Sequence, residues 1–143
     1  MTAERYEEML RLRTTLEGLA AELAATRLTQ EQLTELQGYV TEAKAAAEQG
    51  DMKAYLLVNR AFHFLIYGNC GSSELLKLIE NLWLKCAPVF NTIFDEDYFR
   101  GHANEQHDNI LEALGRRDAG AARVFMQKDI GDAATTILRV AFR

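Results

Sequence analysis

Proline is nearly missing from these 143 residues, with one in the chain, and glycine occurs nine times. That scarcity excludes collagen-like, proline-rich and linker-like classes. Cysteine is limited to Cys70 and Cys86, neither in a C-x-x-C pair. Two such thiols build neither a disulfide framework nor a zinc knuckle, and they read as ordinary thiols of a reducing cell. Basic charge is in deficit, with 16 Lys and Arg against 21 Asp and Glu and a formal net charge of −5. Wrapping a polyanion takes clustered Lys and Arg, and a membrane-surface helix takes a basic face. The balance argues against both. No apolar run approaches the roughly 18 residues that span a bilayer. The polar start Met1-Thr2-Ala3-Glu4-Arg5 lacks the basic-then-apolar order of a signal peptide. A cytoplasmic protein without membrane contact is expected.

Familiar catalytic signatures are missing too. There is no G-x-G-x-x-G, Walker loop, G-x-S-x-G or H-E-x-x-H. The residues three before His63, His102 and His107 are Arg60, Phe99 and Asn104. The Glu-x-x-His pair of di-iron bundles is therefore absent.

What is present is apolar material, 48% of the chain, at helical spacing. From Glu4 to Ala25, Tyr6, Met9, Leu10, Leu16, Leu19, Ala20 and Leu23 form one stripe. Thr29 is expected to cap a second helix to about Glu48; Glu31 comes only two positions later, so no capping box is read. Gly50 and Asp51 separate it from a third helix, Met52 to about Tyr67, which Gly68-Asn69 should close in the left-handed conformation. Ser72 or Ser73 should start a fourth, from Glu74 to about Phe94. It is apolar on almost every side and so expected to be central, with Pro88 kinking or splitting it. Asp95-Glu96-Asp97 reads as an acidic start to a helix over Tyr98 to Leu114. Gly115 and Asp118 punctuate again before a last helix from Ala119 to about Val140. No strand alternation of useful length appears. The pattern predicts one all-α domain over 1–143, an antiparallel bundle of about six or seven helices.

Two histidines are placed to point inward. Asn59 and His63 lie one turn apart on one face, flanked by Phe62 and Ile66, and His107 lies three residues before Ile110. His102 falls on another face and reads as solvated. Taken singly, such a histidine is more often a hydrogen-bonded core residue than a metal ligand.

Several strings, in order, carry a resemblance: Arg13-x-x-Leu16-Glu17-x-x-Ala20-Ala21, Gly50-Asp51, Asn59-x-x-Phe62-His63, Gly68-Asn69, His107-x-x-Ile110-Leu111-Glu112-Ala113-Leu114, and Arg117-Asp118-x-x-x-Ala122. Together they resemble the FCD domain, the FadR-like ligand-binding domain of GntR-type transcription regulators, over essentially the whole chain. The resemblance implies a helical bundle that senses a small organic acid and forms a homodimer. It also implies a winged helix-turn-helix that these residues are expected to lack, so that DNA is met only through such an added domain.

In the metal-binding branch of that family, an Asp and three His hold one divalent cation. Carried over by position, those places are Asn59, His63, His107 and Asp129. Asn stands where Asp is usual and Asp where the last His is usual, so the formal ligand charge of −1 is kept with the carboxylate moved across the site. Zn or Ni is the expected occupant, with Mn or Fe as further candidates. Arg13 is weighed between a weak surface pair with Glu17 and a fork that grips a ligand carboxylate, as the resemblance implies. Trp83, Phe90, Phe94 and Phe125 read as core or pocket lining. The expected function is effector sensing rather than catalysis. Two rivals are a two-His-one-carboxylate metalloenzyme and a dimerisation module with a degenerate pocket.

Overall fold

Side-chain oxygens of Thr, Ser and Asp residues cap five helices of the chain. A computed structural model describes residues 1–91 and 105–142, and among these every regular element is helical. Thr2 caps α1 (Ala3–Ala24), Asp51 caps α3 (Met52–Tyr67), and Ser72 caps α4 (Ser73–Phe90). α5 spans Glu105–Gly115, and Asp118 caps α6 (Ala119–Ala141). Thr29 caps α2 (Gln30–Glu48), and here the expectation is corrected. Gln32 is the third helical residue, and its side-chain oxygen accepts the Thr29 N–H at 2.9 Å while Thr29 Oγ1 accepts the Gln32 N–H at 3.1 Å. A capping box is therefore present, closed by Gln rather than Glu.

Loop geometry departs from expectation at one more point. Gly68 is helical at φ −62°, and the left-handed residue of that turn is Gly71, at φ 78°. That positive φ is what calls for glycine here, since a Cβ on Gly71 would meet only the movable guanidinium end of exposed Arg27. The expected extension of the fourth helix to Phe94, the acidic start Asp95-Glu96-Asp97, Tyr98 and His102 lie outside the described residues. Pro88 does not split the helix, which runs through it to Phe90. It is exposed, two residues before the end of α4, and Leu84, whose carbonyl loses its donor, is 75% exposed.

The central helix is α1, not α4. α4 buries one face, through Leu75, Ile79, Leu82, Trp83, Cys86 and Val89, and exposes Leu78 and Leu84. The deepest stripe of α1 runs Tyr6, Met9, Arg13, Glu17, Ala20 and Ala24, while Leu10, Leu16, Leu19 and Leu23 flank it half-buried. Small residues decide this. Ala20, Ala21 and Ala24 are fully buried, and a Cβ on Gly18 would meet the Gln127 side chain at 2.8 Å. Close approach of α6 thus depends on small side chains, whereas apolar character alone does not. α1 and α6 run antiparallel: Tyr6 meets Phe142, Thr14 accepts from Gln127, and Glu22 pairs with Arg123. α2 and α3, and α5 and α6, form hairpins, with Gln106 reaching Asp132 across the second.

Two apolar clusters result. One gathers the second half of α1 with α2, Phe62, Ile66, Trp83, Ile110, Met126 and Ile130; the other gathers Tyr6, Met9, Tyr55, Leu82, Cys86 and Ile137. Cys70 and Cys86 are buried free thiols. Among the described residues no helix is long and apolar enough to cross a membrane.

Arg117, between α5 and α6, has φ 59° without being glycine. Its Nη1 donates to the carbonyls of Ala25 and Leu28, so it closes the α1–α2 turn from the far end of the chain. Charge-assisted bonds of this kind contribute about 1.5–3 kcal/mol, and left-handed strain costs about 1–2 kcal/mol. Arg117→Ala keeps the strain and loses the bonds, so it should destabilise by about 2 kcal/mol. Arg117→Gly relieves the strain and should be about 1 kcal/mol milder. Urea unfolding of the three proteins checks this; a glycine variant more stable than the parent would show that strain dominates.

Candidate metal and ligand site

Helical spacing places Asn59, His63 and Tyr67 at consecutive turns along one face of α3. His107 projects from α5 one turn before buried Ile110, and Asp129 projects from α6 between buried Met126 and Ile130. Three helices therefore bring His63, His107 and Asp129 together, with one ligand atom of each within 4.8 Å of the others. His63 Nε2 is 3.0 Å from Asp129 Oδ2, and His107 Nε2 is 3.6 Å from the same oxygen. The two rings stand edge to face with centroids 5.7 Å apart, and Phe62 packs on His107 at 4.6 Å. Asn59 lies on the wall of the adjoining cavity.

Charge is concentrated here in a nearly dry place. Burial alone would raise the Asp129 carboxyl, but His107 and His63 beside it outweigh that and hold it well below the usual carboxylate range. His107 is 1% exposed, and among the described residues neither of its ring nitrogens has a hydrogen-bond partner. A buried imidazole left this way forgoes about 1–3 kcal/mol per unmet group, and such an orphan marks a place where something else completes the bonding.

A cavity of about 230 Å³ adjoins the cluster. His63, Asp129, Asn59, Arg13, Arg60 and Trp83 line it, with Phe90, Ile130 and Ile137 among its apolar walls. Arg13 is not a surface residue. It is 5% exposed, and its Nε reaches Glu17 Oε2 at 2.7 Å, with Glu17 0% exposed. Its guanidinium carbon lies 5.1 Å from the Trp83 ring centre and 5.0 Å from that of Phe90. The surface pairing weighed from sequence is overturned because α1 is the central helix and α4 roofs this stretch of it. Trp83 and Phe90 line the pocket as expected, Phe125 packs half-buried on the larger cluster, and Phe94 is outside the described residues.

Three participants, Glu17, Tyr67 and Arg60, escape a reading by motif. Glu17 Oε1 accepts the Tyr67 hydroxyl at 2.7 Å and the Trp83 indole N–H at 2.8 Å, so donors from three helices converge on one carboxylate. Tyr67 in turn lies 3.0 Å from His63 Nδ1. Burial, and then the charge of Glu17, pushes its hydroxyl pKa well above 10. Arg60 stacks on Phe64 at 4.5 Å and flanks Trp83 on the cavity wall. The only sequence signal was spacing, with Tyr67 one turn beyond His63 and Glu17 one turn beyond Arg13.

The FCD domain family model matches residues 8–132. The HTH-type transcriptional regulator McbR of Escherichia coli strain K12 is 32% identical over 122 residues, 83% of this chain and 55% of its own length. The solved structure of E. coli McbR/YncC superposes with a TM-score of 0.90 at 27% identity, covering 96% of this chain and 66% of that one. Streptococcus agalactiae GntR gives a TM-score of 0.74 at 26% identity, covering 90% and 57%. The chain thus spans about half the length of the curated relative and under two thirds of the solved chains.

The buried pair generates a prediction. Removing one partner of a buried ion pair strands the other charge and costs about 3–5 kcal/mol. Arg13→Ala and Glu17→Ala should each destabilise on that scale, and the double variant should cost well below their sum. A urea double-mutant cycle measures this. A single-variant cost under about 1 kcal/mol would return the pair to the class of exposed bridges.

Proposed function

The chain belongs to the FCD domain family, and from that premise we propose that it is the effector-sensing domain of a GntR-type transcription regulator. The proposed effector is a small organic acid, held beside a divalent cation on His63, His107 and Asp129. The observation that carries this is the orphaned, buried His107 ring next to a histidine and a carboxylate whose ligand atoms converge within 4.8 Å. Two imidazoles and one carboxylate suit Zn or Ni, with Mn or Fe as further candidates. The cation would meet the unmet nitrogen of His107 and supply a Lewis-acidic anchor for a ligand oxygen. Asn59, on the cavity wall, would serve as a weak oxygen ligand or a hydrogen-bonding partner.

Cavity charge favours an acid. Arg13 and Arg60 both line the wall, and guanidinium forks match carboxylates. A volume of about 230 Å³ is below the roughly 300–1,000 Å³ of drug-sized sites, which favours a compact metabolite. The named relatives are transcription regulators, which supports sensing over turnover by a two-His-one-carboxylate enzyme. DNA contact belongs, in this proposal, to a separate N-terminal domain, and dimerisation to the helical domain.

The test is metal analysis of purified protein, followed by Zn²⁺ or Ni²⁺ titration of chelator-treated protein and thermal shift with short carboxylic acids. Asp129→Ala should weaken metal binding by more than the roughly 10–100-fold typical of losing a supporting partner, and Asn59→Ala by less. Arg13→Ala should lose acid binding even where the cation is retained. Full metal content in Asp129→Ala would remove the carboxylate from the site. A dimer is expected at micromolar concentration, and sedimentation at a steady 16.2 kDa would exclude it.

A further inference from the structure

We infer that Tyr67, oriented by Glu17, is a positioning residue that gives His63 the tautomer required to bind a cation through Nε2. The inference rests on the metal reading proposed above and concerns protein groups outside the ligand set. It follows from counting protons along one buried chain of contacts.

The Tyr67 hydroxyl has one proton and three neighbours able to take it. Glu17 Oε1 lies at 2.7 Å, His63 Nδ1 at 3.0 Å, and Met126 Sδ at 3.2 Å. Glu17 is a fully buried carboxylate paired with Arg13, and a bond to an ionised acceptor is about twice as strong as a neutral one. The thioether is a weak acceptor. The proton therefore goes to Glu17. With its proton committed, the hydroxyl oxygen can only accept from His63, so Nδ1 must carry a hydrogen.

That assignment reaches the other side of the ring. A neutral imidazole with its proton on Nδ1 has a lone pair on Nε2. Nε2 stands 3.0 Å from Asp129 Oδ2, which is itself an acceptor. With Nδ1 protonated, either Nε2 carries a second proton that it donates to Asp129, or a metal cation takes the place of that proton. The chain Glu17–Tyr67–His63 thus directs the lone pair at the place where Asp129 and His107 meet. Without the Tyr67 oxygen, the ring could turn its Nε2 proton toward Asp129, satisfy itself there, and block a metal.

The experiment uses the full chain with Zn²⁺ as the probe. In Zn²⁺-loaded protein labelled with ¹⁵N-histidine, long-range ¹H–¹⁵N correlations should show a protonated Nδ1 and a metal-bound Nε2 on His63. Tyr67→Phe should raise the Zn²⁺ dissociation constant by about 10–100-fold, measured by chelator competition. In the same variant the His63 Nδ1 proton should exchange faster with water. A purely packing role for the hydroxyl would leave that proton's exchange and the tautomer unmoved. Zn²⁺-loaded wild-type protein in which His63 Nδ1 carries no proton overturns the inference even if Tyr67→Phe does not fold. Wild type that binds Zn²⁺ with Tyr67→Phe within about twofold overturns this inference alone. Wild type that takes up no Zn²⁺ removes it together with the metal reading.

Discussion

The carboxylate of Glu17 is the constraint around which the bundle is arranged. It is 0% exposed, and an unpaired charge at that depth would be driven to neutralise or to unfold its surroundings. Arg13 from its own helix, Tyr67 from α3 and Trp83 from α4 all donate to it. Each bond has direction, so the register of three helices is specified more tightly than apolar contact could manage. Such networks are not a cheap source of stability, because desolvation cancels much of the attraction. Their effect is to make one packing arrangement acceptable and its near neighbours costly.

The position of that carboxylate explains why the cavity and the histidine cluster adjoin. Arg13 is held on one side of Glu17 and stacked against Trp83 and Phe90, so a guanidinium stays at the cavity wall in place of reaching water. On the other side Tyr67 carries the influence of Glu17 to His63, and from there to Asp129. One buried acid thereby orients a cationic group for an anion and an imidazole for a cation. Arg60, resting on Phe64, adds a second guanidinium without entering the network.

Around this polar centre the apolar clusters lie to either side along α1, one rich in alanine and one built on Tyr6, Met9 and Ile137. Alanines let α1 and α6 approach closely, and ion pairs such as Glu22–Arg123 at 3.2 Å and Lys44–Asp108 at 2.9 Å clip helices at the surface. Exposed pairs of that kind contribute about 0–1 kcal/mol, so orientation rests on the interior.

Local chemistry was legible without the fold. The caps at Thr29, Asp51, Ser72 and Asp118 and the extents of α2, α3 and α6 follow from hydroxyl and carboxylate side chains beside periodic apolar runs, which act within a few residues. Asn59, His63, His107 and Asp129 were legible as a group through resemblance, and the last three do meet. What sequence could not decide was depth. Leucine spacing pointed to one face of α1, and only packing shows that the face with Arg13 and Glu17 goes innermost, because donors 50 and 66 residues from Glu17 are there to meet it. The fourth helix, expected at the centre, ended at the side for the same reason. Periodicity reports which residues avoid water, whereas the centre is chosen by which helix is slim enough to be approached and whose polar groups find partners far along the chain.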